Sequence, residues 1–154
     1  MNKEKIILLV EDNADDAMLT QRALKQGNIV NKEWSSRKTA WRHWTICRAQ
    51  GPMLTRMPRS CPQWCCWTSS CRKWMGLEVL RRLRANERTR LLPVVILTSS
   101  KEEEDVIASY KLGANSYTRK PVDFAHFSEA VKQLGLYWML VNIPPPAKTY
   151  EGEE

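Results

Sequence analysis

Short runs of apolar residues alternate along the chain with longer segments in which apolar residues recur every three or four positions. Residues 5–10 (KIILLV) and 93–97 (PVVIL) are mainly apolar runs, and residues 115–118 (NSYT) are predicted to form a brief strand. Runs of this length are typical of strands buried on both faces of a parallel sheet. The helical periodicity predicts four helices, around residues 14–25, 77–83, 102–112 and 124–134.

The order of these segments predicts the fold class. Strands that alternate with helices favour a parallel sheet covered by helices on both faces, which is a doubly wound α/β fold. A chain of 154 residues suits one domain. We therefore expect a ligand-binding site at the edge of the sheet where the carboxyl ends of the strands meet.

Polar residues follow the predicted strands at that edge. Glu11 and Asp12 follow the first run, Thr98 follows the run at 93–97, and Lys120 follows the last strand. Carboxylates are the oxygen ligands that Mg²⁺ prefers, and a hydroxyl and an ammonium donate to phosphate oxygens. Each residue alone would be an ordinary loop residue, but together at three strand ends they predict a site for a divalent cation and a phosphoryl group.

The motifs LLVEDN, VVILTSS and GANSYTRKP resemble the first, fourth and fifth strand motifs of the receiver domain of two-component response regulators. The resemblance implies a five-stranded, flavodoxin-like fold that accepts a phosphoryl group from a sensor histidine kinase. It implies that Glu11 and Asp12 hold Mg²⁺, that Thr98 and Lys120 contact the phosphoryl group, and that Tyr117 is an aromatic switch residue. Such a domain is a signalling protein whose only catalysis is Mg²⁺-dependent self-phosphorylation and autodephosphorylation.

The ends of the chain refine these expectations. We expect a receiver domain over residues 1–136 and an arm with an acidic tail over 137–154, which is too short for an output domain. A single receiver with such a tail resembles the regulators partnered with phytochrome kinases of bacteria and cyanobacteria. The apolar arm at 137–143 (YWMLVNI) either covers its own last helix or joins the face formed by 102–112, 115–118 and 124–134 in a homodimer.

The N-terminal sequence and the cysteines bear on where the protein works. The start MNKEKIILLVED meets acidic residues too early for a signal peptide, and no run reaches the ~20 apolar residues of a membrane span. The five cysteines are odd in number, which argues against a disulfide framework. We expect a cytoplasmic protein with reduced thiols that binds neither membrane nor nucleic acid.

Composition divides the chain sharply. Residues 33–75 hold eight of the 24 basic residues and one of the 17 acidic residues, so this segment supplies the whole net charge of +7. It also holds every cysteine and six of the seven tryptophans. The receiver pattern requires an aspartate at the end of the third strand, followed by x-x-Pro-x-Met-Asp-Gly, but this chain has Thr68 there.

The codons behind this segment explain the discrepancy. Tryptophan has the single codon TGG, so Trp67 followed by Thr68 contains GAC, and Trp74 followed by Met75 contains GAT; both are aspartate codons. The same adjacent frame reads Val-Leu-Leu-Asp at 65–68 and allows Leu-Pro-Lys-Met-Asp-Gly at 71–76. We interpret residues of about 33–75 as a frameshifted translation, with one nucleotide lost near codon 33 and one gained near codon 75.

With this interpretation the predicted site is complete. An aspartate at position 68, where the chain has Thr68, would be the phosphoacceptor and a Mg²⁺ ligand, and the backbone carbonyl near Ser70 would be a further ligand. If Thr68 is genuine, no acyl phosphate forms, and the domain is a pseudo-receiver that acts as a constitutive protein-binding module.

Two other interpretations take the segment at face value. Cys61, Cys65, Cys66 and Cys71 have the spacing C-x3-C-C-x4-C, which suits a tetrahedral zinc site poorly. A basic, Trp-rich segment is also typical of proteins that stack on single-stranded nucleic acid, but here these residues show neither helical nor strand periodicity. A shifted reading frame accounts for both features.

Overall fold

The computed structural model describes residues 7–11, 13–29, 64–69, 73–87 and 89–145, and contains a parallel sheet with helices on both faces. In chain order the elements are β1 (Ile7–Val10), α1 (Ala14–Gln26), β2 (Trp64–Ser69), α2 (Lys73–Ala85), β3 (Val94–Thr98), α3 (Glu103–Lys111), β4 (Ser116–Arg119) and α4 (Phe124–Leu136), followed by a π-helical turn (Tyr137–Val141).

The sheet has the order β1-β2-β3-β4, and each neighbouring pair is parallel. β3 is buried at all five positions, as expected for a strand covered on both faces. β2 lies between β1 and β3. This is the place in the sheet where the third strand of a receiver domain was expected. The expected second strand, and therefore the count of five, falls within residues that lie outside the described part of the chain.

Two apolar clusters lie on opposite faces of the sheet. One joins α1 and α4 to the sheet and is built from Leu9, Ala17, Ala23, Leu24, Val95, Leu97, Phe127, Val131 and Met139. The other joins α2 to the sheet and is built from Leu80, Leu83, Val94, Ile96 and Ala114. Successive residues of β3 thus point alternately into the two clusters, which is the period-two geometry of a strand. The predicted doubly wound α/β class agrees with this arrangement.

Local sequence explains where α1 begins and where α3 is followed by a turn. The side chain of Asn13 accepts hydrogen bonds from the backbone N–H groups of Asp15 and Asp16, which caps the N-terminus of α1. Gly113 follows α3 with φ at +93°, a conformation that side-chain-bearing residues rarely adopt. This turn sends the chain directly from α3 into β4.

The last apolar segment continues α4 as the π-helical turn, in which Asn142 N–H donates to the carbonyl of Tyr137. Met139 is 6 % exposed and belongs to the cluster shared by α1 and α4, and Trp138 packs against that cluster. Leu140, Val141 and Ile143 remain largely exposed. The arm therefore contacts its own domain on one side and presents apolar side chains on the other.

None of the described helices combines the length and apolar character needed to cross a membrane.

Candidate functional site

The carboxyl ends of the four strands meet at one edge of the sheet. Glu11 follows β1 directly, and Lys120 follows β4. The register pairs Ser69 with Thr98 and Thr98 with Arg119, so the ends of β2, β3 and β4 are level. The backbone N–H of Lys120 donates to the carbonyl of Thr98 at 2.7 Å. Residues distant in sequence are therefore held together by the sheet itself.

An ion network lies at this edge. The Lys120 ammonium Nζ is 3.2 Å from Oε2 of Glu11 and 2.8 Å from Oδ2 of Asp16. Glu11 is almost completely buried, at 1 % exposure. A buried carboxylate needs a charged or hydrogen-bonding partner, and Lys120 supplies one. The structure thus brings together two residues predicted from the sequence and adds a third.

The turn after β1 positions the two carboxylates. Oε1 of Glu11 accepts a hydrogen bond from the backbone N–H of Asn13 at 3.1 Å, and Asn13 in turn caps α1. Asp16 therefore lies in the first turn of α1, where its charge also suits the positive end of the helix dipole. The sequence EDNADD places both carboxylates beside Lys120 by this one turn.

Thr98 is buried at the end of β3 and begins a chain of polar contacts that leads to α3. Its hydroxyl accepts from the backbone N–H of Ser100 at 3.1 Å. The Ser100 hydroxyl donates to Oδ2 of Asp105 at 2.5 Å and accepts from the N–H of Glu102 at 3.3 Å. The predicted phosphoryl-binding threonine is thereby connected through the β3–α3 loop to the first turn of α3.

Tyr117 lies on β4 beside these groups. Its ring packs against the cluster shared by α2 and the sheet, and its hydroxyl oxygen is buried without a hydrogen-bond partner among the described residues. Burial raises the pKa of Tyr117, the Ser100 hydroxyl opposes this rise, and the Asp105 carboxylate adds to it. A buried hydroxyl without a hydrogen bond is uncommon in folded proteins.

Several predicted site residues fall where the structure is not described. Asp12 and Ser70 lie outside the described residues, and so do Cys61 and Cys71 of the zinc interpretation. The backbone of Thr68 is described, and its Cα pairs with that of Leu97 one residue before the end of β2. Within the described residues no three potential metal-ligating side chains converge. The roles of Asp12, Thr68 and Ser70 stay predictions.

Three residues of this region were not singled out from the sequence: Asp16, Ser100 and Asp105. Asp16 resembled any acid in the polar stripe of an amphipathic helix, and its pairing with Lys120 spans 104 positions. A usable signal existed, because a cap at Asn13 places Asp16 in the first helical turn after the strand end.

Comparisons with known proteins agree with this geometry. The family model described as "Response regulator receiver domain" matches residues 69–132. The chain is 34 % identical over 142 residues to the probable methanogenesis regulatory protein FilR2 of Methanothrix harundinacea, which covers 91 % of this chain and 87 % of that protein. It is 33 % identical to response regulator Rcp1 of Synechocystis, covering 93 % of this chain and 95 % of Rcp1.

Solved structures give the same result. The crystal structure of the phosphorylated cyanobacterial phytochrome response regulator RcpA matches with a TM-score of 0.67 and 25 % identity, over 94 % of this chain and all of that one. The Mn²⁺-bound form of Rcp1 also matches with a TM-score of 0.67, at 28 % identity, over 92 % of this chain and 99 % of that one. The sequence resemblance to receivers, including those of the phytochrome type, is confirmed, and the chain belongs to the response regulator receiver family.

Proposed function

We propose that this protein is a phosphorelay response regulator that accepts a phosphoryl group from a histidine kinase on an aspartate at position 68. The observation that carries the proposal is the buried pair of Glu11 and Lys120 beside Thr98. Position 68 lies in the central strand that separates β1 from β3. A carboxylate there would lie at the same edge as the Thr98 hydroxyl, at the end of the neighbouring strand β3, and the Lys120 ammonium, which contacts Glu11 after the other neighbour, β1.

The proposal requires Asp rather than Thr at position 68. The family model matches residues 69–132, so most of the compositionally distinct segment at 33–75 lies outside the match, as a frameshifted segment would. Intact mass and peptide mapping of the expressed protein test it directly, because the shifted frame predicts Asp at both 68 and 75. A peptide containing Cys65-Cys66-Trp67-Thr68 would overturn this part of the proposal.

The same edge suits a hard divalent cation. The two oxygens of Glu11 accept hydrogen bonds from the Asn13 N–H and from Lys120, and a carboxylate at this edge is an oxygen ligand of the kind that Mg²⁺ prefers. Asp12, the position-68 aspartate and the backbone carbonyl near Ser70 would complete an all-oxygen ligand set, which is what Mg²⁺ prefers. When bound, Mg²⁺ would neutralise charge on the phosphoryl oxygens.

The protein's own groups then have distinct tasks. The position-68 carboxylate would attack the phosphorus of a phosphohistidine, so that an O–P bond forms as the P–N bond breaks. The products are an acyl phosphate and a neutral histidine, which keeps the proton that its other ring nitrogen carries. Lys120 would pair with one phosphoryl oxygen, and the Thr98 hydroxyl would donate to another. The resulting movement of Thr98 would change the surroundings of Tyr117 and shift a two-state equilibrium on the surface of α3, β4 and α4.

Phosphorylation by a small donor such as acetyl phosphate, with and without Mg²⁺, tests this function. We expect Asp12→Ala to abolish Mg²⁺-dependent phosphorylation while the far-UV circular dichroism is unchanged, because a site carboxylate contributes little to the apolar core. Asp15→Ala is the matched control, since Asp15 is exposed on the first turn of α1. Unchanged phosphorylation of Asp12→Ala would exclude Asp12 from the site. If the parent protein is not phosphorylated at all, the alternative of a pseudo-receiver is supported.

We propose a phytochrome-type histidine kinase in the cytoplasm as the partner. This rests on the similarity to Rcp1 and to the phytochrome response regulator RcpA over most of the chain. Phosphotransfer assays with a panel of purified histidine kinases would test it, and equal rates for phytochrome-type and other kinases would contradict it.

A homodimer through the arm is part of the same proposal. Leu140, Val141 and Ile143 are 73 %, 68 % and 90 % exposed, and they continue the exposed surface of Leu136 and Tyr137. A contiguous apolar surface of this kind is typical of a protein interface. A second copy would cover it with an identical surface, as in a symmetric dimer.

A further inference from the structure

Lys120 is held by two carboxylates, although the chemistry of a receiver site accounts for only one of them. Glu11 belongs to the proposed metal site, whereas Asp16 lies five residues further on, within α1. The Lys120–Asp16 distance of 2.8 Å is shorter than the Lys120–Glu11 distance of 3.2 Å. Asp16 is therefore a principal partner of this lysine in the structure.

The burial of the three groups makes this contact more than a surface ion pair. The side chain of Lys120 is 9 % exposed, that of Glu11 is fully buried, and that of Asp16 is 28 % exposed. Exposed ion pairs contribute little to stability, because water screens the charges and both side chains lose conformational freedom. Lys120 is buried and already paired with Glu11, so the main effect of the second carboxylate is to orient the ammonium group.

The tetrahedral geometry of the ammonium group determines where its remaining N–H donor points. Nζ carries three N–H donors at tetrahedral angles, and two of them are used by Glu11 and Asp16. Once two donor directions are fixed, the third is fixed as well. Among the described residues no acceptor takes this third N–H.

We propose that Asp16 is a positioning residue, which orients Lys120 so that its third N–H is directed at the incoming phosphoryl oxygen. Asp16 touches neither the metal nor the phosphoryl group in this role and acts only through Lys120. The inference rests on the proposed phosphoacceptor function, because the third donor needs a phosphoryl oxygen to bind. Without Asp16 the ammonium rotates about its bond to Cε, and the correct orientation is populated for only part of the time.

The experiment compares Asp16→Asn with Asp15→Asn. Both variants remove one acid from the first turn of α1, so the loss of helix-dipole stabilisation is matched, but only Asp16 contacts Lys120. Acetyl phosphate and Mg²⁺ serve as the probes. For Asp16→Asn we expect the maximal phosphorylation rate to fall on the order of tenfold, as a displaced catalytic group typically causes, with the half-saturating Mg²⁺ concentration unchanged. Asp15→Asn should match the parent, and Asp16→Glu should recover part of the rate.

A second measurement follows the ion pair without any phosphorylation. Competitive acetylation read by mass spectrometry should show Lys120 labelled faster in Asp16→Asn than in the parent, with exposed Lys132 as the internal reference. If the parent is phosphorylated and Asp16→Asn is as fast as Asp15→Asn, or faster than the parent, this inference is wrong and the proposed function stands. A raised Mg²⁺ requirement in Asp16→Asn would also overturn it, since Asp16 would then be a metal ligand. If the parent takes up no phosphoryl group, the proposed function fails and this inference fails with it.

Discussion

Among the described residues, the hydroxyl of Tyr117 is a buried side-chain group without a hydrogen-bond partner. Its ring is packed against the α2 cluster, yet the oxygen is enclosed without a hydrogen bond among the described residues. A buried polar group left unpaired costs ~1–3 kcal/mol. The hydroxyl therefore opposes the position in which the ring is packed.

Removing that hydroxyl should stabilise the protein. We expect Tyr117→Phe to raise the free energy of unfolding by about 1 kcal/mol, because the ring keeps its packing and the unpaired oxygen is lost. Urea unfolding followed by circular dichroism measures this. Tyr110→Phe is the control, since Tyr110 is half exposed and should change stability little. A loss of stability in Tyr117→Phe would show that the hydroxyl is hydrogen-bonded in solution.

At the scale of elements, Arg84 connects three parts of the fold at the edge of the sheet opposite the site. Its guanidinium donates to the carbonyls of Gly113 at 2.6 and 3.0 Å and of Leu92 at 2.8 Å, and to the side chain of Asn115 at 3.0 Å. Asn115 also accepts from the N–H of Val94 at 2.7 Å. The end of α2 is thereby joined to the starts of β3 and β4.

Loss of this arginine should cost more than loss of its neighbours. We expect Arg84→Ala to lower the free energy of unfolding by about 2–3 kcal/mol, because several partly buried carbonyls lose a charged donor. Arg84→Lys should recover little of it, since a lysine lacks the planar fork. Arg82→Ala is the control: Arg82 is exposed and pairs with Glu78 alone among the described residues, so its loss should cost no more than about 0.5 kcal/mol. Equal losses in both alanine variants would contradict the role of Arg84.

Gly135 in α4 is needed for close packing rather than for flexibility. A Cβ atom there would overlap Cδ1 of Ile29 and lie 2.9 Å from its Cγ2. Replacing glycine by alanine inside a helix usually stabilises it, but we expect Gly135→Ala to destabilise this protein by about 1–3 kcal/mol through overpacking. Thermal unfolding of a double-mutant cycle with Ile29→Ala checks this, because the smaller side chain should remove most of the penalty. Additive effects of the two substitutions would exclude the overlap as the cause.

The sequence predicted the elements better than it predicted their contacts. Continuous apolar runs gave β1 and β3, and periodicity with a closing glycine gave α1 and α3, because burial imposes these patterns locally. The start of α2 at Lys73, four residues before the predicted segment, was missed, since the first turn of a helix needs no intrahelical N–H partner and leaves a weak pattern. The location of Glu11 and Lys120 at one edge of the sheet was predicted through the meeting of strand ends, whereas their ion pair and the contact of Asp16 with Lys120 were not.

At the scale of the whole molecule, the arm after α4 has two opposite surfaces. Met139 is part of the core, and Leu140 and Ile143 face outward. Truncation after Leu136 should shift the protein toward monomer if the arm crosses to a partner, but it also removes Met139 from the core. Substitutions of the exposed side chains separate the loss of a dimer interface from the loss of core packing.

We expect the double variant Leu140→Glu and Ile143→Glu to be monomeric and as stable as the parent, because neither side chain is part of the core and charges oppose an apolar interface. Met139→Ala should instead lose about 2–5 kcal/mol of stability through a core cavity and keep its oligomeric state. Sedimentation velocity and thermal unfolding measure the two properties. A parent that is monomeric at high concentration would assign the arm to its own domain alone.

The contact between Glu11 and Lys120 spans 109 positions, and this span affects how the protein is made. During synthesis β1 and α1 leave the ribosome long before β4 and α4 have been translated. The apolar faces of β1 and α1 are therefore exposed until the elements that cover them have been made. Contacts of such long range form late and slowly, because the intervening loop must be closed first. The nascent chain should therefore depend on chaperone binding until residues beyond 120 emerge, and the ion network should form only when folding is essentially complete.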